Sequence, residues 1–261
     1  MSFLVAVLGA LLLQAAPSPS PSSAAGPALT EEAAAALLQK SPAFTGANSA
    51  RRFARVKKLM HVQEGAQEGW LAEFEWQEAD KARVAVAPIT WASAPHEGAW
   101  YFQHGGWGVV AVAEDRTIDQ VVELMKGAKV RAFEAAAVGD TRSVISAEVA
   151  YASTTADGSY GELRCLAEPA TCTPGSKYTS MLPKELASLA DKTGYRRKFH
   201  AGPRTKGGFS AFAYTAVPVK PGETGVRGFC GDDTGRICFT SDGSEPPVLN
   251  GRCAPPCQEL K

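Results

Sequence analysis

The fold this sequence predicts is α+β, in two separately built parts, and three observations predict it. The stretch GWLAEFEWQ alternates apolar and polar residues strictly, as a half-buried antiparallel strand does. Between Ile118 and Ala152 apolar residues recur at helical spacing instead. All five tryptophans precede residue 110 and all six cysteines follow residue 160, so the two halves have different cores. The expected organisation is an export segment over 1–25, a Trp-rich helix-plus-antiparallel-sheet domain over 28–116, and a disulfide-stapled domain over 117–261 with a long helix on a short antiparallel sheet.

At 261 residues the chain is long enough for two modest cores. Hydrophobic residues make up 45% and charged residues 21%, the balance of an ordinary globular protein. Its formal net charge is zero. Nucleic acid and anionic membrane surfaces both call for a basic excess, so neither is an expected partner.

The chain opens with MSFLVAVLGALLLQAA, an apolar run of signal-peptide length and shorter than the roughly 20 residues that span a bilayer. The PSPSPSSAAG that follows cannot continue a helix, and Ser23, Ala24 and Ala25 are small enough for cleavage near Ala25. Export is therefore expected. An uncleaved anchor is the alternative, and membrane association is expected only if the apolar segment is retained.

Thr30 can cap a short helix in which Glu31 and Glu32 suit the positive dipole end and which Pro42 stops. Strands are expected near Ala54–Val62 and Arg83–Trp91. Between them, Trp70, Ala72, Phe74 and Trp76 face one side of a strand, and Glu73, Glu75 and Gln77 face a solvated back. In AWYFQHGGWGVVAV, Gly105 and Gly106 suit a tight primed turn that would pair His104 with Trp107 and Phe102 with Val109. The long helix places Phe133, Ala137, Val144, Ile145, Val149 and Ala152 on its apolar stripe. Gly127 makes it either one kinked helix or a short helix leading into a longer one from about Lys129. Beyond it, LPKELA reads as a helical turn. GYRRKFHA, GFSAFAYTAVPV and RGFCGDDTGRICFTS read as strands, the last as a hairpin turned through Asp232–Gly235.

An even number of clustered cysteines in an exported chain reads as disulfides rather than a zinc site, and no histidine accompanies any pair. Six cysteines allow fifteen connectivities. Proximity favours the local set: Cys165 with Cys172, Cys230 with Cys238, and Cys253 with Cys257.

EAAAVGDTRSVISAEVAYAS, then DGSYGEL, LPKELASLADKTGY and AVPVKPGETGVRGFCGDDTGRI, carry a family resemblance. From about residue 129 to 261 the chain resembles the globular part of type IV pilin-like proteins and of the type II secretion G-class major pseudopilins. The resemblance implies an exported protein with a helix packed on a small antiparallel sheet. Members of that family precede this helix with a continuous apolar half that anchors the subunit and packs the fibre core. At that place this chain has IDQVVELMKGAKVRA, with Asp119, Glu123, Lys126, Lys129 and Arg131, which is amphipathic. Polymerisation as a pilin is therefore not expected.

Chemistry is sparsely signalled. The sequence has neither a G-x-S-x-G elbow nor an H-E-x-x-H motif, and its four histidines are scattered. In some pseudopilins of the resembled class a calcium ion sits near the C-terminal loop. Asp232, Asp233 and Asp242 are the candidates for it, although the turn-forming role of Asp and Gly explains them equally. Trp70, Trp76, Trp100, His104 and Trp107 make up the candidate binding surface, with core packing as the competing role. The basic alternation in GYRRKFHA reads as an edge strand kept soluble by charge. The expected function is that of a non-enzymatic exported protein, needing no cofactor, that contacts envelope or secretion-system proteins. A minor pseudopilin, or an envelope ligand-binding protein using the Trp-rich domain, is the alternative.

Overall fold

The computed structural model describes residues 28–41, 44, 50–64, 67–92, 106–109, 112–172 and 179–260. The proposed export segment, with Trp100 and His104, lies outside them. The fold is α+β, and the chain divides by contacts into Met1–Ala128 and Lys129–Lys261.

In the first unit, helix α1 (Glu31–Gln39) is capped by the Thr30 hydroxyl, which accepts the Ala33 N–H at 3.2 Å. Strands β1 (Arg51–Glu64), β2 (Gln67–Glu78), β3 (Lys81–Ala92) and β4 (Gly106–Val109) form an antiparallel sheet in that order, and β5 (Ala113–Glu114) also pairs with β3. The alternation of β2 places Ala72, Phe74 and Trp76 in a core with Ala34 and Leu38 of α1 and with Ala85, Ala87 and Ile89 of β3.

The opposite face of β2 is not simply solvated. Leu71 is buried there with Val86, Ala113, Ile118 and Val121. Glu73 accepts the Ile118 N–H at 2.9 Å, closing an unpaired donor at a helix start. The β4 segment has β3 as its neighbour among the described residues. Val109 lies opposite Ile89 and Trp107 opposite Trp91, while the other arm of the expected hairpin lies outside the described residues.

Helix α2 runs unbroken from Ile118 to Ala152, through both Gly127 and Gly139. Thr117 and Gln120 begin it with reciprocal bonds: the Gln120 side chain accepts the Thr117 N–H and the Thr117 hydroxyl accepts the Gln120 N–H. Because Ile118 and Val121 pack with Leu71 and Val86, the division between units falls after Ala128 rather than after residue 116.

In the second unit a sheet of order β12-β9-β8-β7-β6 is antiparallel throughout: β6 (Tyr195–Ala201), β7 (Phe212–Pro218), β8 (Gly228–Asp232), β9 (Ile237–Thr240) and β12 (Gln258–Glu259). As the charge pattern predicts, β6 is an edge. Tyr195, Phe212, Tyr214, Ala216, Phe229 and Ile237 build one core with Ala137, Val144, Ile145 and Tyr151 of α2. Helix α3 (Leu163–Ala167) and the turn α4 (Lys184–Ala187) add Leu166 and Leu186 to it. A small hairpin, β10 (Val248–Leu249) and β11 (Arg252–Cys253), precedes β12. Among the described residues no helix is long and apolar enough to cross a membrane.

Candidate functional site

The second sheet's other face carries a cross-strand row of polar residues and cysteines. Register puts Lys198, Thr215, Cys230 and Cys238 in one row across β6 to β9, so their side chains share a face. The C-terminal segment is fastened to this row. Cys230 bonds to Cys253, and Cys238 to Cys257, while Cys165 and Cys172 form the local bridge. The expected Cys230–Cys238 and Cys253–Cys257 pairs are therefore corrected. Cys230 and Cys238 are direct cross-strand neighbours, and each is taken by a cysteine of the segment laid against them. Every cysteine is oxidised, compatible with an exported protein.

Two of the candidate calcium ligands, Asp232 and Asp233, are occupied by this same fastening. Asp232, buried, accepts the Thr234 N–H at 3.0 Å and the Cys253 N–H at 2.9 Å. Asp233 holds Arg252 through two hydrogen bonds of 2.9 and 2.7 Å. Asp242 accepts from Ser244 in an exposed turn, which lowers its pKa. Among the described residues no group of three or more His, Cys, Asp or Glu side chains is placed to hold a metal ion.

One cluster resembles catalytic machinery in composition. His200 Nε2 lies 3.0 Å from the Thr215 hydroxyl, and that hydroxyl donates to Glu245 Oε1 at 3.0 Å. Lys198 donates to Glu245 Oε2 at 2.5 Å. The order is wrong for nucleophilic activation. Glu245 reaches the same ring nitrogen that faces Thr215, at 3.4 Å, instead of orienting the far one, and Thr215 is only 1% exposed. Burial lowers the His200 pKa against the pull of Glu245. Burial also opposes ionisation of Glu245, but the bonds from Lys198 and Thr215 outweigh it and hold that carboxyl low. The cluster ties the loop after β9 to the sheet, and sequence reading missed it because Glu245 lies in a turn remote from His200.

Three buried polar residues lie on the core side of α2, spaced by seven: Glu134, Thr141 and Glu148. Glu134 accepts the Val226 and Arg227 N–H groups, each at 3.0 Å, and two guanidinium bonds from Arg227 at 2.9 and 2.6 Å. Thr141 donates back to the Ala137 carbonyl at 2.9 Å. Among the described residues Glu148 accepts only the Gly161 N–H, at 2.9 Å, and burial pushes its pKa up to about 8. Beside them Asp140 meets Lys192 at 2.9 Å and the buried Arg197 at 3.6 Å. The hydrophobic pattern could not reveal these acids, since it assigned the stripe to Val149, which is 53% exposed.

The candidate aromatic surface resolves differently at each position. Trp76 is a core residue, 1% exposed, with the guanidinium groups of Arg51 and Arg83 at 4.6 and 5.0 Å from its ring. Trp70 is half-buried against that core and faces His61, ring centroids 4.9 Å apart. Trp107 enters only as a backbone partner of Trp91. Trp76 therefore takes the competing role of core packing: α1 covers the strand face on which the alternation puts it. No family model, curated protein or solved structure matches this chain.

Proposed function

We propose that this chain is an exported, non-enzymatic protein of pilin-like build, acting through protein contacts in envelope assembly, secretion or adhesion, and that it does not polymerise as a pilin. The observation that carries this reading is the use made of α2. Its later turns pack on a five-stranded antiparallel sheet with disulfides, the arrangement that the family resemblance implies. Its first turns bury Ile118 and Val121 among the first unit's own strands, and Glu123 and Lys126 pair in solvent at 2.8 Å. A helix whose apolar side is consumed within its own chain leaves no stripe for a fibre core.

The test is fractionation of the cells that make the protein, with shearing to collect surface fibres and cross-linking to identify neighbours. The expected result is a soluble exported fraction with no reactive thiols, absent from fibres and cross-linked to envelope or secretion proteins. Recovery within fibres would overturn the reading in favour of a pseudopilin. Saturable quenching of tryptophan fluorescence by a small molecule would favour the ligand-binding alternative.

A further inference from the structure

Glu148 has no exposed surface. Its Oε2 accepts the Gly161 N–H, while Oε1 is enclosed without a partner among the described residues. Gly161 is itself wedged: a Cβ there would lie 2.8 Å from both Leu166 Cδ1 and Tyr151 Cε1. The titratable groups that face the carboxyl are Tyr151 on its own helix and Tyr160 on the loop, both pushed up by burial first and by Glu148 in part. Glu162 acts on Tyr151, and Asp232, Asp233 and Arg252 act on Tyr160. Among the described residues no cation pairs with Glu148. A buried carboxylate with one hydrogen bond and no counter-charge is costly, whereas the neutral acid keeps the same acceptor for Gly161 without that cost.

We propose that the Glu148–Gly161 contact is a proton-operated latch. With the carboxyl neutral it fastens the turn after α2 to the helix, and with the carboxyl ionised it releases that turn to water. The turn is a single pinned structure: Tyr160 and Phe209 exchange backbone bonds of 2.9 Å, and the Ser159 hydroxyl meets that of Thr205 at 2.5 Å. Releasing Gly161 therefore loosens the loop around residue 205 and the start of α3 as well. The direction follows from linkage. A carboxyl whose folded pKa stands above its unfolded value favours the closed form at low pH. Opening then releases a proton and becomes easier as pH rises toward the folded value.

The experiment is amide hydrogen exchange of the full chain from pH 5 to 9, corrected for intrinsic rates, on wild type and Glu148→Gln. Glutamine keeps the acceptor for Gly161 and cannot ionise. Protection of residues 159–166 is expected to fall about tenfold per pH unit in the wild type up to the carboxyl's midpoint, then level off, and to stay flat in the variant. Flat protection in the wild type, or an equal fall in both proteins, would overturn the latch. If Glu148→Gln does not fold, carboxyl carbon NMR of the wild type decides: a midpoint above pH ~7 supports the latch, and one in the ordinary carboxylate range near pH ~4 overturns it.

Discussion

Replacing Glu134 with alanine removes the acceptor of four hydrogen bonds at once. Two come from the Arg227 guanidinium, and two from the backbone N–H groups of Val226 and Arg227. The Arg227 guanidinium would remain over the Phe229 and Phe239 rings, at 5.3 and 5.2 Å, so it keeps part of its packing. Removing one member of a buried, hydrogen-bonded ion pair costs about 3–5 kcal/mol. Since Arg227 is 35% exposed and can be rehydrated, about 3 kcal/mol is expected for Glu134→Ala.

Arg227→Ala leaves Glu134 its two backbone donors and should cost about 2 kcal/mol. A double-mutant cycle should return a coupling of about 2 kcal/mol. Urea unfolding followed by hydrogen exchange in β8 reads the effect. Tryptophan fluorescence reports the first unit separately, because every tryptophan precedes residue 110. Burial opposes ionisation of Glu134, but the bonds from Arg227 and from the backbone N–H groups of Val226 and Arg227 outweigh it, so the carboxyl's pKa is lowered. Its contribution is therefore complete above the ordinary carboxylate range and is lost as pH falls through the folded value. A coupling under about 0.5 kcal/mol, or a wild-type advantage that grows on acidification, would refute the reasoning.

Tryptic digestion without reduction should link three peptides, 228–236, 237–252 and 253–261, through Cys230–Cys253 and Cys238–Cys257. A free 253–261 peptide would instead mean local pairing. Gly139 faces open space on α2, so Gly139→Ala should stabilise the protein by about 1 kcal/mol in urea unfolding. Gly208→Ala should strongly destabilise it, because a Cβ would come 1.9 Å from the Tyr160 carbonyl oxygen, and loss of soluble protein or a large drop in the thermal midpoint would show this. Glu73→Ala removes the acceptor at the start of α2 and should cost about 1 kcal/mol, with faster amide exchange at Ile118.

The sequence by itself determined the α+β class, the segregated cores, the inward row of β2, the cap of α1, the charged edge strand β6 and the oxidised cysteines. Each of these follows from a short-range property: a period of two, a period near 3.6, a capping hydroxyl or a cysteine count. Continuity of α2 through Gly127 was not legible, because a glycine penalty of about 1 kcal/mol is small beside packing on either side of it. A local signal for the helix start was present in Thr117 and Gln120 and went unread. What only the tertiary structure decided is which partners meet. Cys230 chose Cys253 over its near neighbour because the C-terminal segment lies across the row it occupies. Glu134 and Glu148 displaced Val149 from the buried stripe because distant backbone donors, Arg227 with Val226 for one and Gly161 for the other, lie on that side of the helix. Burial of an acid depends on a partner remote in sequence, and hydropathy along one helix holds no record of it.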